Sequence, residues 1–342
     1  MKKHIIYSVL FAIFFLYSCN KNIEADLAYH VNVDVYPKDV IGSFTPYVDD
    51  DFYMLDGDVV RINLFIYAED GSLVEKHSQK LKSYSDKAAF AFKLPVGNYT
   101  FIATSDIYTP SYDFEIWNYY DTDNINTLSI KQNYRFGPDA LLGLKMIETE
   151  IKEPTDIEIP LTSATALINW RMKHIHDDNI IFEDIFLFEK YYISLDGKYN
   201  EALTIENNEF NAVSAPTGYY YHIASLSPLN FPNSENIYHY SAILPIERTT
   251  IMITAELVDL ETEESGLIEY PFVEPVSTSF KGGKQYVIEV DYEEGTLEVY
   301  NGMSKLNTEA KSNASISNKV GNTRLMDVIN YNPELKLNKL SK

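Results

Sequence analysis

The sequence predicts an all-β protein made of two tandem antiparallel β-sandwiches. Three observations lead there. Apolar residues recur at every second position in segment after segment, the period of a strand with one buried face. The composition favours strands, with 27 Tyr and 18 Phe in 342 residues and abundant Ile, Val and Thr. Turn residues recur between the segments, and no amphipathic helical pattern longer than three turns stands out.

Leu27, Tyr29, Val31, Val33 and Val35 share one face, with His30, Asn32 and Asp34 opposite. A loop follows, carrying Gly42, Pro46 and the acids Asp49, Asp50 and Asp51. Val60, Ile62, Leu64 and Ile66 form the next inward face, with Arg61 and Asn63 opposite. Glu69-Asp70-Gly71 turns the chain into Ser72–His77. Ala88, Phe90, Phe92 and Leu94 make another inward face, and Pro95-Val96-Gly97-Asn98 returns the chain through Tyr99–Thr104. Proline fixes φ and glycine tolerates positive φ, which a tight connection needs.

A second set opens with Ile157, Ile159 and Leu161, then Ala164, Ala166, Ile168, Trp170 and Met172. Further strands are expected over Ile185–Ile193, Tyr219–Ala224, Tyr238–Leu244, Thr250–Val258, Leu267–Phe272, Gln285–Asp291 and Leu297–Tyr300. Turn signals at Asp196-Gly197, Pro216-Thr217-Gly218, Gly282-Gly283 and Glu294-Gly295 separate them. Lys152-Glu153-Pro154-Thr155 marks the boundary between the sets. The expected division is a leader over 1–18, a linker over 19–26, sandwiches over 27–156 and 157–300, and a polar tail over 301–342. Short apolar patches at Leu325–Ile329 and Leu335–Leu337 make that tail either a pairing segment or plain disorder.

The leader carries its own signal. Lys2, Lys3 and His4 precede an apolar run from Ile5 to Tyr17. That run is too short for a membrane span of about 20 residues and fits the core of a signal peptide. It ends in Leu16-Tyr17-Ser18-Cys19, which looks like a lipobox: an aliphatic residue three before the cysteine and a small one just before it. The Cys19 thiolate would take the diacylglycerol, and the small Ser18 would let the peptidase reach the Ser18–Cys19 bond. Cys19 is the only cysteine, so no internal disulfide competes for it. An exported, outer-membrane, lipid-anchored and cell-surface protein is the expectation. An ordinary signal peptide with an incidental cysteine is the plainer reading.

The chain has 28 basic and 50 acidic residues, a formal charge of -22. Losing the leader removes Lys2 and Lys3 and no acid. Such a surface repels phosphate backbones and anionic headgroups, which argues against nucleic-acid binding.

Three segments resemble the fimbrillin-A associated anchor proteins of Bacteroidota, lipoproteins at the base of type V pili. The first is Val60–Tyr67 running into Glu69-Asp70-Gly71. The second is Leu94-Pro95-Val96-Gly97-Asn98-Tyr99, similar to the family's leucine, proline, x, glycine, x, tyrosine hairpin. The third is Ile159-Pro160-Leu161 with Ala166-Leu167-Ile168, closed by Phe280-Lys281-Gly282-Gly283-Lys284-Gln285-Tyr286-Val287-Ile288. The resemblance implies transthyretin-like sandwiches, fimbrial subunits as partners, β-strand pairing as the mode of assembly, and no catalysis or cofactor. It also implies that stalk subunits of such pili mature by cleavage after an arginine, which removes their first strand. Here no arginine lies between Cys19 and Arg61.

Other candidate sites carry plainer readings beside the functional ones. His174 and His176, two apart on a strand, could present two imidazoles to zinc, or simply lead into Asp177 and Asp178. Asp49, Asp50, Asp51, Asp56 and Asp58 could hold calcium, or form a solvated acidic loop. Trp117-Asn118-Tyr119-Tyr120 and Tyr219-Tyr220-Tyr221 could stack on sugars, or fill the core. Exposed rings would favour the alternative function, a surface glycan-binding lipoprotein of a polysaccharide-uptake system. A lipid-anchored hydrolase is the remaining rival, but no nucleophile elbow or phosphate loop is present.

Overall fold

The computed structural model describes residues 27–42, 57–110, 114–133, 140–173, 186–197, 200–207, 209–214, 221–226, 236–259, 265–269, 276–291, 296–301, 304–305 and 309–310. They are nearly all strand. The first half contains β1 (Ala28–Tyr36), a short helix α1 (Lys38–Gly42), β2 (Val59–Ala68), β3 (Leu73–Leu81), β4 (Ala88–Pro95), β5 (Gly97–Thr109), β6 (Phe114–Glu115), β7 (Trp117–Tyr120), β8 (Ser129–Gln132), β9 (Gly143–Ile151), β10 (Thr155–Pro160) and β11 (Thr162–Ser163). The second half contains β12 (Ala166–Lys173), β13 (Phe186–Gly197), β14 (Asn200–Glu206), β15 (Glu209–Ser214), β16 (Tyr221–Leu226), β17 (Asn236–Ile243), β18 (Ile246–Asp259), β19 (Ser265–Glu269), β20 (Val276–Phe280), β21 (Gln285–Asp291), β22 (Thr296–Asn301), β23 (Ser304–Lys305) and β24 (Glu309–Ala310).

These strands form five sheets. Sheet A has the order β10-β1-β4, and sheet B the order β11-β9-β5-β2-β3 with β6 beside β5. Sheet C is β15-β14-β8-β7. Sheet D is β17-β12-β21-β22-β23, and sheet E is β16-β13-β18-β20-β24 with β19 beside β18. The two halves repeat one plan. In sheet A the first strand β1 lies between an antiparallel β4 and a parallel β10; in sheet D the first strand β12 lies between an antiparallel β17 and a parallel β21. Sheets B and E match likewise, β9-β5-β2-β3 against β20-β18-β13-β16, with β6 and β19 in the same place.

The parallel pairs depart from the antiparallel expectation. A parallel pair needs a long crossover, and the strands of the intervening repeat supply it. The expected boundary after residue 156 falls inside β10, which pairs with β1 from Val31↔Thr155 to Tyr36↔Pro160. β11 then pairs with β9. The strands that complete the first repeat therefore run on to Ser163.

The inward faces follow the alternation. Val31, Val33, Val35, Val60, Ile62, Leu64, Ile66 and Leu94 have 0 % exposure. Phe90 and Phe92 differ from the expectation: they pack against the core but remain half-buried. They lie on β4, the edge of sheet A, where His77 of β3 stacks on Phe92 with centroids 5.3 Å apart. β2 departs in the other direction, because its outward residues Arg61, Asn63, Phe65 and Tyr67 are buried as well. A segment from β7 to the loop before β8 covers them. The Tyr67 hydroxyl donates to the Thr122 carbonyl at 3.0 Å, and the Ile125 amide donates to the Gly71 carbonyl at 2.9 Å.

The hairpin motif at Leu94–Tyr99 has a simple local cause. The Tyr99 hydroxyl donates to the Pro95 carbonyl at 3.0 Å, closing the turn that Pro95 and Gly97 begin. The β2–β3 turn is closed at Gly71, whose φ of 83° suits glycine.

Candidate subunit interface

The first strand is the element on which the expected assembly turns. β1 is hydrogen-bonded along both edges, to β4 from Ala28↔Pro95 to Val35↔Ala88 and to β10. Its three buried valines each contribute on the order of 1.5–3 kcal/mol of burial energy. Asn32 Nδ2 donates to Asp156 Oδ1 at 2.7 Å on the outer face. At the far end, the Leu161 amide donates to the Tyr36 carbonyl at 2.9 Å, and α1 follows with Val40 and Ile41 buried. β1 is thus the central strand of its sheet rather than a loosely added edge.

Arg61, the first arginine of the chain, sits in the middle of β2 at 8 % exposure. Its Nε donates to Asp106 Oδ1 at 2.9 Å and its Nη2 to Asp106 Oδ2 at 3.0 Å, a bidentate pair. Nη1 donates to Glu115, and Nη2 also donates to the Trp117 carbonyl at 3.1 Å. The Tyr119 hydroxyl donates to Asp106 Oδ2 at 2.7 Å and lies 2.8 Å from Thr104 Oγ1. Burial pushes the Asp106 carboxyl up, against the pull of Arg61. Burial would lower the Arg61 value, but Asp106 outweighs it and holds the guanidinium charged. Burial likewise pushes the Tyr119 and Tyr67 phenols well above their ordinary value, with Asp106 and Asp123 adding to it.

Several sheet edges are only partly paired. β11 pairs with β9 only at Gly143 and Leu144, so among the described residues β9 has no strand on that side from Lys145 to Ile151 in sheet B. β3, at the opposite edge, turns Lys76 and Lys80 outward over the rings of Phe65 and Tyr108, at 5.1 and 4.0 Å. Lysines on an edge strand discourage further pairing. A cleft of about 470 Å³ beside β9 is rimmed by Glu69, Asp70, Glu148 and Glu150. A larger one of about 1040 Å³ lies between the β14–β15 hairpin and the strands β18 and β20, lined among others by Phe210, Arg248, Thr250, Ser277 and Lys281.

The other expected sites divide as follows. Ser18, Cys19, Asp49, Asp50, Asp51, Asp56, His174 and His176 lie outside the described residues. Asp58 lies just before β2 and is buried. Among the described residues no group of three His, Cys, Asp or Glu is placed to hold a metal. Trp117 is fully buried, its Nε1 donating to the Ala140 carbonyl at 3.2 Å, and Tyr119 is engaged with Asp106. Trp117 is thus a core residue, Asn118 and Tyr119 are partly exposed, and Tyr120 is exposed, at 49 %. Tyr219 and Tyr220 lie outside the described residues. Asp106 and Glu115 are not legible in the sequence as partners of Arg61. An arginine at an outward strand position reads as solvated unless a covering layer is known.

A family model, that of the fimbrillin-A associated anchor proteins Mfa1 and Mfa2, matches residues 29–225. The chain belongs to this family. The match spans β1, the Arg61 network and the arms of sheet C. Among solved structures, the chain is similar to a DUF1812 protein of Bacteroides thetaiotaomicron, with 11% identity, 84% of this chain and 100% of that one covered, and a TM-score of 0.47. It is similar to the tip fimbrial protein Mfa3 of Porphyromonas gingivalis with 10% identity, 82% and 100% covered, and a TM-score of 0.39. It is also similar to a fimbrial assembly protein of Parabacteroides distasonis with 10% identity, 83% and 99% covered, and a TM-score of 0.40. No curated protein matches the sequence. Membership of the family supports a structural role in fimbriae at the cell surface.

Proposed function

We propose that the protein is a pilus anchor, tethered to the outer membrane by lipid on Cys19 and joined to fimbrial subunits by β-strand pairing. It works as a structural link and catalyses nothing. In this reading residues 1–18 are removed, residues 19–26 form the tether, and the two repeats stand off the membrane on it. The observation that carries the reading is the state of the first strand. β1 begins nine residues after Cys19 and is the central strand of sheet A. The first arginine beyond Cys19 is Arg61, buried in a paired strand and held by Asp106. Proteases need exposed, flexible backbone, so β1 stays with the lipid and its place in the sheet stays filled. A subunit of this kind can end or anchor a pilus but cannot be opened by arginine cleavage to accept a neighbour there. The edge of β9 from Lys145 to Ile151, left without a strand among the described residues, offers backbone groups for pairing by another route.

The test is made on cells that carry pili. Metabolic labelling with a fatty-acid analogue should tag the protein, Cys19→Ala should abolish the tag, and the mature N-terminal peptide should begin at Cys19. An untagged wild type, or a mature form beginning after Arg61, would overturn the reading.

A further inference from the structure

The two repeats carry insertions at different places in the shared plan. In the first repeat, β7 and β8 lie between β6 and β9; in the second, β14 and β15 lie between β13 and β16. Among the described residues these arms have no counterparts in the other repeat, and they pair with each other. β8 joins β14 antiparallel through Lys131↔Ala202, Ile130↔Leu203 and Ser129↔Thr204. Ile130 and Leu203, at 1 % and 4 % exposure, fall within one continuous core cluster that also takes in Ala242 and Leu244. Lys131 Nζ lies 3.0 Å from Glu201 Oε1, and Gln132 Nε2 donates to the Ala242 carbonyl at 3.5 Å.

Each arm is also fastened to its own repeat. Arg61 donates to the Trp117 carbonyl, and Trp117 to the Ala140 carbonyl. Asn200 Nδ2 donates to the Pro245 carbonyl, between β17 and β18. The covalent crossover is short and held from both sides: the Ala164 amide donates to the Leu142 carbonyl at 2.8 Å, and the Gly283 amide donates to the Thr165 carbonyl at 2.9 Å. A single linker leaves two domains free to swing, the default for domains in one chain. A second attachment through different elements removes that freedom.

We infer that sheet C is a clasp that makes the two repeats one cooperative body. Its consequence is that strain applied to one repeat passes to the other through paired backbone, without a hinge between them. The clasp belongs to the described fold alone, so it stands or falls separately from the lipid anchor.

Hydrogen exchange of the mature chain at rising urea, read by mass spectrometry, tests it. β2 reports on the first repeat and β12 on the second. In the wild type the two should lose protection at one urea midpoint. Leu203→Asp should split the midpoints, because an aspartate at the arm contact breaks the coupling and leaves the sheets of each repeat intact. Separate midpoints in the wild type, or coincident ones in a folded Leu203→Asp protein, would overturn the clasp. Should Leu203→Asp not fold, Lys131→Cys with Ala202→Cys in a Cys19→Ser background decides instead. Directly paired strand residues are within disulfide reach, so mild oxidant should cross-link the two arms. Thiols that stay free in the folded protein would overturn the clasp equally.

Discussion

At the scale of single residues, Arg61 and Asp106 are the pair on which most else depends. A charge buried at 0 % exposure, as Asp106 is, is tolerable only with its partners in place. Removing one partner of a buried pair leaves the other uncompensated, at a cost of about 3–5 kcal/mol. Asp106→Asn should therefore lower stability by about that much, seen as a reduced urea midpoint. It should also loosen β7, since Tyr119 loses the carboxylate it donates to. The buried phenols make a separate prediction about pH. Tyr67 and Tyr119 hold their protons more tightly in the fold than an unfolded chain would. An acid whose folded value is raised stabilises the fold fully below its unfolded value, about 10 for tyrosine. That contribution is lost as pH rises from there through the folded values. Urea midpoints should thus fall between about pH 10 and pH 11, and Tyr67→Phe should flatten the fall. The hydroxyl's bond to Thr122 is worth about 1 kcal/mol, so the Tyr67→Phe midpoint should start slightly lower.

At the scale of elements, alternation in the sequence located the strands whose one face is core. Val31, Val33 and Val35, or Val60 to Ile66, needed nothing more. It gave the wrong burial for β4, whose Phe90 and Phe92 face inward at a sheet edge and keep part of their surface. Full burial of a phenylalanine is worth 3–5 kcal/mol on truncation to alanine; half-burial brings Phe92→Ala to about 1–2 kcal/mol, measurable as a small midpoint shift. A loss above 3 kcal/mol would mean that β4 is better covered than its exposure indicates. Among the strands of four or more residues, β7, β8, β9, β14, β15 and β20 were not legible. β7 and β8 are four residues each, too short for a period to show. β9 carries Lys145, Glu148 and Glu150, so its alternation is broken by charge. β14 is buried irregularly because its pairing with β15 shifts register between Asn200 and Ala202. Close contacts were equally hidden: a Cβ on Gly143 would fall 2.1 Å from Ser105 Oγ and 2.4 Å from Val40 Cγ2. That is why glycine stands where α1 presses on β9.

At the scale of the whole molecule, the repeat was invisible in the sequence although its two-part length was legible. Sequence patterns report local faces, and the repeat lives in strand order, which depends on pairings between distant residues. The parallel pair of each repeat is the plainest case. Asn32 and Asp156 touch across 124 positions, and no local rule links them. The central place of β1 follows from that pair, and it has a consequence for how the chain becomes folded. A strand pairing over so long a separation closes late, because contacts distant in sequence form slowly. A chain that emerges from its N-terminus exposes Val31, Val33 and Val35 long before β10 exists to cover one side of them. The first repeat can close only after residue 160 has emerged, and until then its earliest strand has an open flank to any passing β-edge. A protein of this design has a period of vulnerability built into its birth, and its length is set by the spacing between its first strand and its tenth.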